Sequence, residues 1–183
     1  MSDQHRGKKM AEEMEFEFFQ SSYEYVTGDR LSIVKDGERP DFICHRTNNT
    51  QIGVEFTKIV RSPEKTLWDE VLDRSYYQSG DEVFFAIQEA IVKKSQKMQK
   101  GLWRLAENTM LVLQVMDCPL SDTVLHFDKS LQSEMAASGF SEIWVADYSI
   151  IEAFNDVDLF GIHPSKYWGI HRGPRPHGHK PYG

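Results

Sequence analysis

An α/β fold with one central sheet flanked by helices is predicted by three features of the sequence. Thr109 to Met116 (TMLVLQVM) is an almost unbroken apolar run bounded by polar residues and Pro119, the pattern of a strand buried on both faces. Arg39 to Arg46 and Gln51 to Val60 are two strand-like runs separated by the turn-forming Thr47-Asn48-Asn49-Thr50, which reads as a hairpin. Segments of helical period alternate with these runs, so helices have to cover the sheet.

Taken in order, residues 1–9 read as a disordered leader and Met10 to Val26 as a first helix, with Met14, Phe18 and Tyr25 at helical spacing. Thr27-Gly28-Asp29 ends that helix, and the hairpin follows. Thr66 to Tyr77 is expected to be a short helix. Gln78-Ser79-Gly80-Asp81 is a break whose Ser or Asp can cap a long helix over Glu82 to Leu102. Beyond the buried strand, Asp122 to Ser138 reads as helix and Glu142 to Asp147 (EIWVAD) as another strand. The predicted organisation is a leader over 1–9, an α/β domain over 10–162, and a basic Gly/Pro/His-rich tail over 163–183 that cannot bury enough to fold alone.

Length and composition agree with one domain: 183 residues, 40% hydrophobic and 27% charged. No apolar run approaches the roughly 18 residues that span a bilayer, and the polar start MSDQHRGKK lacks a signal-peptide core, so a soluble cytoplasmic protein with no membrane contact is expected. Cys44 and Cys118 lack metal-site spacing and read as small core residues of a reducing compartment. With 21 Lys and Arg against 28 Asp and Glu, the net charge of -7 excludes coating of nucleic acid by bulk positive charge. That charge is local. Residues 121–162 hold eight acids against one base, Lys129, whereas residues 86–107 carry Lys93, Lys94, Lys97, Lys100 and Arg104, and the stretch from His163 to Gly183 has no acid.

The candidate chemistry lies in the hairpin. Centred near Asn48, it sets Asp41 opposite Glu55, and strand alternation sends Glu55 and Thr57 to one face while Ile52, Val54, Phe56 and Val60 take the other, core face. Facing carboxylates with Cβ atoms roughly 5 Å apart are destabilising unless neutralised. A hard divalent cation is suited to the task, because Mg²⁺ is commonly held by one or two carboxylates together with substrate phosphate oxygens and water. A cation near the reacting phosphate would complete such a site. Lys58 is sent to the opposite face by alternation. In the long helix, Phe84, Ile87, Ile91 and Met98 form an apolar stripe, and Lys94 takes the position that completes it. A lysine there is costly unless its amine emerges beside an acidic site; the bland alternative is a snorkelling side chain.

The pieces Pro40-Asp41-Phe42-Ile43, Ile52-Gly53-Val54-Glu55-Phe56-Thr57 and Ile91-Val92-Lys93-Lys94 resemble the PD-(D/E)XK, or restriction-endonuclease-like, nuclease superfamily, from about the first helix to the EIWVAD strand. The resemblance implies a restriction-endonuclease-like mixed sheet flanked by helices, and Mg²⁺- or Mn²⁺-dependent hydrolysis of DNA phosphodiesters with Asp41 and Glu55 as metal ligands. Thr57 stands in the slot of the motif lysine. In members whose lysine has migrated to the following helix the function is kept from there, which implies Lys94 as the catalytic cation, ahead of Lys97 and Lys58. Many members add a glutamate from the first helix, for which Glu17 is chosen over Glu13. DNA is the implied partner, and homodimers are common in the superfamily. The rival reading is a nuclease-like scaffold without activity, serving as a protein-interaction module through the acidic 121–162 segment, or a DNA-mimicking inhibitor with those acids along one exposed face.

Other candidates carry less. His163, His171, His177 and His179 could suggest a metal site, but Gly/Pro/His tails ordinarily bind nothing specific. His45 shares the Asp41 face and reads as a plain strand residue. Trp144 reads as core, and Tyr167-Trp168 is the aromatic pair best placed in sequence to stack on bases. No GxxxxGK[ST], GxSxG or HExxH motif is present.

Overall fold

The structure is a computed structural model and describes residues 3–36, 39–60, 78–101, 103–105 and 108–175. The helix expected over 66–77, with Tyr76 and Tyr77, lies outside the described residues, as do His177 and His179.

Among the described residues, seven strands form one mixed sheet in sequential order: β1 (Ser32–Asp36), β2 (Phe42–His45), β3 (Gln51–Ile59), β4 (Thr109–Val115), β5 (Glu142–Asp147), β6 (Asp158–His163) and β7 (Gly169–His171). The central β3–β4 and β4–β5 pairs are parallel, and all others are antiparallel. The fold is α/β, as the sequence predicts. The hairpin register is also the expected one, with Phe42 opposite Val54 and His45 opposite Gln51.

Helices cover both faces because β4 is apolar on both. Met110 and Val112 join Ile52, Val54, Trp144 and Ala146 against α1 (Asp3–Thr27), while Leu111, Leu113 and Val115 join Ile59, Ile143 and Val145 against α2 (Gly80–Gln99). All seven β4 residues are buried. On α2, Val83, Ile87, Ile91, Ser95 and Met98 form the buried stripe, and trimming either isoleucine to alanine would cost about 2–5 kcal/mol. Cys44 and Cys118 are buried free thiols, as expected.

Several elements differ from expectation. The first helix begins at Asp3, inside the segment read as a leader. Its inward stripe is Phe16, Phe19 and Tyr23, whereas Met14 and Tyr25 are exposed and Phe18 is half-buried. The aromatic rings of the hairpin select that stripe: Phe16 lies 4.8 Å from Phe42, and Phe19 lies 5.7 Å from Phe56, centroid to centroid. Val60, expected in the core, is exposed just past the end of β3. The helix expected over 122–138 is broken into α3 (Leu120–Thr123), a 3-10 turn (Val124–His126) and α4 (Lys129–Ala136). Asp128 restarts the helix by accepting hydrogen bonds from the Ser130 and Leu131 backbone N–H groups.

Residues 163–175 are part of the fold. His163 closes β6, and Ser165 to His171 turn back as a 3-10 turn and β7, with Ile170 paired to Phe160. A Gly/Pro-rich stretch that could not fold alone is ordered here by adding to an existing sheet edge. Arg175 fixes its end through Asp156 at 2.7 Å and Asp158 at 2.8 Å. Trp168 packs on Phe160 and Tyr167 on Trp144, so the pair expected to stack on bases has its rings turned to the protein. Among the described residues no helix is long and apolar enough to cross a membrane.

Candidate functional site

The β2–β3 ladder ends at Phe42 and Val54, and β3 runs on to Ile59. Asp41 sits at this fork. Its Oδ2 accepts a hydrogen bond of 2.8 Å from the Phe56 backbone N–H, a group that β2 no longer pairs. Pro40 holds Asp41 there by packing over Gly53. A Cβ at residue 53 would lie 2.6 Å from Pro40 Cγ and 2.9 Å from Thr109 Oγ1, so the glycine permits a close approach that no other residue allows.

Glu55 stands one residue past the ladder, facing α2, and is 4% exposed. Lys94 reaches it from α2. Ile91 is buried one turn before Lys94 and Met98 one turn after, so the lysine stem runs along the apolar stripe and Nζ ends 2.5 Å from Glu55 Oε1. Nζ also lies 6.0 Å from the centre of the buried Trp103 ring. The second oxygen, Glu55 Oε2, is buried and has no hydrogen-bond partner among the described residues. Burial raises the Glu55 pKa above its ordinary value and the nearby Asp41 charge raises it further, while Lys94 and, less strongly, the Asp41 backbone N–H oppose both without overcoming them. Thr57, two residues on, shares the Glu55 face and leaves its own buried Oγ1 without a partner among the described residues.

The other sequence candidates stand apart from the Glu55–Lys94 pair. Lys58 projects to the α1 face and pairs with Glu15 Oε1 at 2.6 Å, and Lys97 is exposed. Glu17 is exposed and is not in the site. The helix glutamates that do approach Asp41 are Glu12 and Glu15, which line with it a cleft of about 260 Å³ completed by Phe42, Phe56, Lys58 and Gln114. Three aromatics in four residues, Phe16, Phe18 and Phe19, allow two helical phases, and the fold takes the one that buries Phe16 and Phe19 and brings Glu15, not Glu17, to the cleft beside Asp41. His45 lies at the far end of β2 from Asp41, with Nε2 3.3 Å from Gln51 Nε2.

No family model, curated protein or solved structure matches the chain. What the site can do therefore rests on its own geometry. Among the described residues no group of three or more His, Cys, Asp or Glu could hold a metal by itself. Two adjacent carboxylates, one with an orphaned buried oxygen, instead fit a hard cation that takes its remaining ligands from water and phosphate, which is the habit of Mg²⁺.

The acids of 121–162 do not gather on one exposed face. Glu142, Asp147 and Asp156 are buried. Glu142 accepts from Arg46, Tyr23 and the Trp144 indole, and Asp147 accepts from the Leu120 and Ser149 backbone N–H groups. Asp156 is held by Arg175. Three of the eight acids are thus turned inward, in structural hydrogen bonds, whereas Asp122, Asp128, Glu134 and Glu152 are exposed and Asp158 is half-buried.

Proposed function

We propose that this protein is a Mg²⁺-dependent deoxyribonuclease of the PD-(D/E)XK type. The observation that carries the reading is Lys94 Nζ at 2.5 Å from Glu55 Oε1, with the Asp41 carboxylate close enough for its charge to raise the Glu55 pKa: an acid just before β2, an acid on β3 and a cation from the following helix. Asp41 and Glu55 would hold the ion, which when bound would supply positive charge for the phosphate and lower the pKa of a water. The Phe56 N–H holds the Asp41 carboxylate in place, so little reorganisation is needed on binding. Lys94, kept beside Glu55 by its own stem packing, offers a positive charge to a phosphate oxygen or a hydrogen bond to the attacking water. Lys97 on the same helix and Lys100 just past its end, both exposed, extend positive charge along one edge beside the Glu89-paired Lys93 and support a salt-sensitive DNA contact.

The test is cleavage of plasmid, linear and single-stranded DNA at low salt with Mg²⁺, Mn²⁺ or EDTA. Wild type should cut only with metal, and Asp41→Ala, Glu55→Ala and Lys94→Ala should each lose about 100-fold or more. Wild type that cuts nothing, or cuts equally well in EDTA, would overturn the reading.

A further inference from the structure

We infer that Arg39 and Arg104 form, with Lys97 and Lys100, a contact for the phosphate backbone of duplex DNA beside the acids; the choice of DNA as the polyanion rests on the nuclease reading, and the two arginines are residues that reading does not use. Lys58, Lys93, Arg46 and Arg175 each stand against an acid of the same chain. Arg39, Lys97, Lys100 and Arg104 are exposed and form no ion pair among the described residues.

The backbone gathers these four. α2 ends at Gln99, and Gly101, with φ of 75°, turns the chain through the left-handed conformation that closes many helices. Trp103 then packs in the protein with its ring centre 6.0 Å from Lys94 Nζ. The N–H of the next residue, Arg104, donates to the Arg39 carbonyl at 3.3 Å, so the two arginines are neighbours through their main chains. Arg39 precedes Pro40 and Asp41, and two residues of chain span at most about 7 Å. A phosphate held by the arginines is therefore close to one held at the acids. A lysine in the last turn of a helix is explained by the helix dipole, and Lys97 is such a residue. The arginines lie outside any helix, and exposed like charges brought together repel one another until a polyanion neutralises them.

Single strands are ordinarily gripped by stacking bases on aromatic rings. Trp103 is buried, and Tyr167 and Trp168 turn their rings to the protein, so the surface beside the acids offers charge to phosphates rather than rings to bases. Phosphate contacts position a duplex without reading its sequence.

Fluorescence anisotropy in EDTA tests this, with a labelled duplex of about 20 base pairs titrated between about 50 and 200 mM KCl. The double variant Arg39→Gln with Arg104→Gln should bind about 10-fold or more weakly at the low-salt end, and the slope of log Kd against log salt should fall by about 2. Lys166→Gln with Arg172→Gln removes the same charge from exposed positions at the β7 edge, away from β2 and β3, and should stay within about twofold of wild type. Both double variants should melt close to wild type, because exposed charges contribute little to stability. Duplexes of unrelated sequence should bind alike, and a single strand of the same length more weakly. Equal losses in the two double variants, no loss in Arg39→Gln with Arg104→Gln, or a single strand bound more tightly than the duplex would overturn the inference and leave cleavage at Asp41 and Glu55 standing. Binding is read without metal, so a wild type that holds the duplex through the arginines yet cuts nothing with any metal would overturn the nuclease reading alone.

Discussion

Lys94 Nζ lies 2.5 Å from Glu55 Oε1, although the two residues are 39 apart in sequence and stand on different elements. The helix supplies the cation and the strand supplies the acid, and each is placed by apolar neighbours: Ile91 and Met98 around the lysine stem, Val54 and Ile59 along the strand. The side chains differ in exposure, 22% for Lys94 and 5% for Glu55, so the acid depends on the pair more than the lysine does.

Removing the lysine should therefore expose that dependence. Lys94→Met leaves a buried carboxylate without its cation and should cost about 1–3 kcal/mol at neutral pH, less than for a fully buried pair because Lys94 is partly solvated and Glu55 can take up a proton. The double variant Lys94→Met with Glu55→Gln should regain most of the loss, since neither charge is then left alone. Urea denaturation of the four proteins in the cycle measures the coupling. Additive changes, whatever the sign of each, would show that the contact contributes nothing to stability.

The Glu55 carboxyl is held above its ordinary pKa of 4.5, by burial and then by the Asp41 charge, with Lys94 acting against them. A raised folded-state value means that the ionised form is disfavoured by folding. The associated stability is fully present below about pH 4.5 and is lost as pH rises through the folded value. Glu55→Gln should thus match wild type in stability at the acid end and gain on it as pH rises, in metal-free buffer. Asp147 and Asp156 are raised in the same direction, so the difference between the two proteins, rather than the wild-type slope, isolates Glu55. Mg²⁺ should reverse the order by favouring the ionised wild-type acid. Thermal melts across pH with and without Mg²⁺ read both effects; a difference that does not change with pH would refute the assignment.

Gly53 connects the two short motifs. Adding a methyl group there drives Cβ to 2.6 Å from the Pro40 ring and 2.9 Å from Thr109 Oγ1, and the neighbour best able to yield is Pro40, beside Asp41. Gly53→Ala should cost about 1–3 kcal/mol in overpacking. It should also reduce cleavage by more than that stability loss explains, because the Asp41–Phe56 bond is disturbed. Activity measured well below the melting temperature separates the two effects. Full activity in a stable Gly53→Ala would show that Asp41 is not positioned through Pro40.

The β2–β3 register was legible because a four-residue turn and period-two alternation leave little freedom, but the pairing stops at Phe42 and Val54, so Asp41 does not stand opposite Glu55 in the ladder and lines the cleft beside Phe56 and Lys58 instead. The position of Lys94 was legible because it interrupts an apolar stripe. Glu15 was not legible. Phe16, Phe18 and Phe19 satisfy two helical phases, and only the rings of Phe42 and Phe56, distant in sequence, decide between them. The edge strands were missed for a related reason. Ser32–Asp36 is short, and its Ile33 and Val34 are exposed, while Gly169–His171 is ordered by its pairing with β6 rather than by its own pattern. Net charge was the least informative signal, because Glu142, Asp147 and Asp156 count as surface acids in a composition and are buried in the fold.

Arg46 shows where stability can be altered without touching the site. It follows β2 at the end opposite Asp41, and its guanidinium binds Asp29 Oδ2 at 2.6 Å and Glu142 Oε1 at 2.6 Å through separate nitrogens, with the Tyr23 hydroxyl at 2.7 Å. It thereby joins the end of α1 to β2 and β5. Arg46→Met leaves the buried Glu142 without its cation and should cost about 3–5 kcal/mol. Arg46→Lys should recover only part of this, because one ammonium cannot reproduce a planar fork that reaches two carboxylates in different directions. Neither change disturbs the Asp41, Glu55 or Lys94 contacts. Both variants should therefore cleave DNA with wild-type kcat at temperatures where they are folded, while melting earlier. A fall in kcat in folded Arg46→Met would show that the two ends of β2 are coupled.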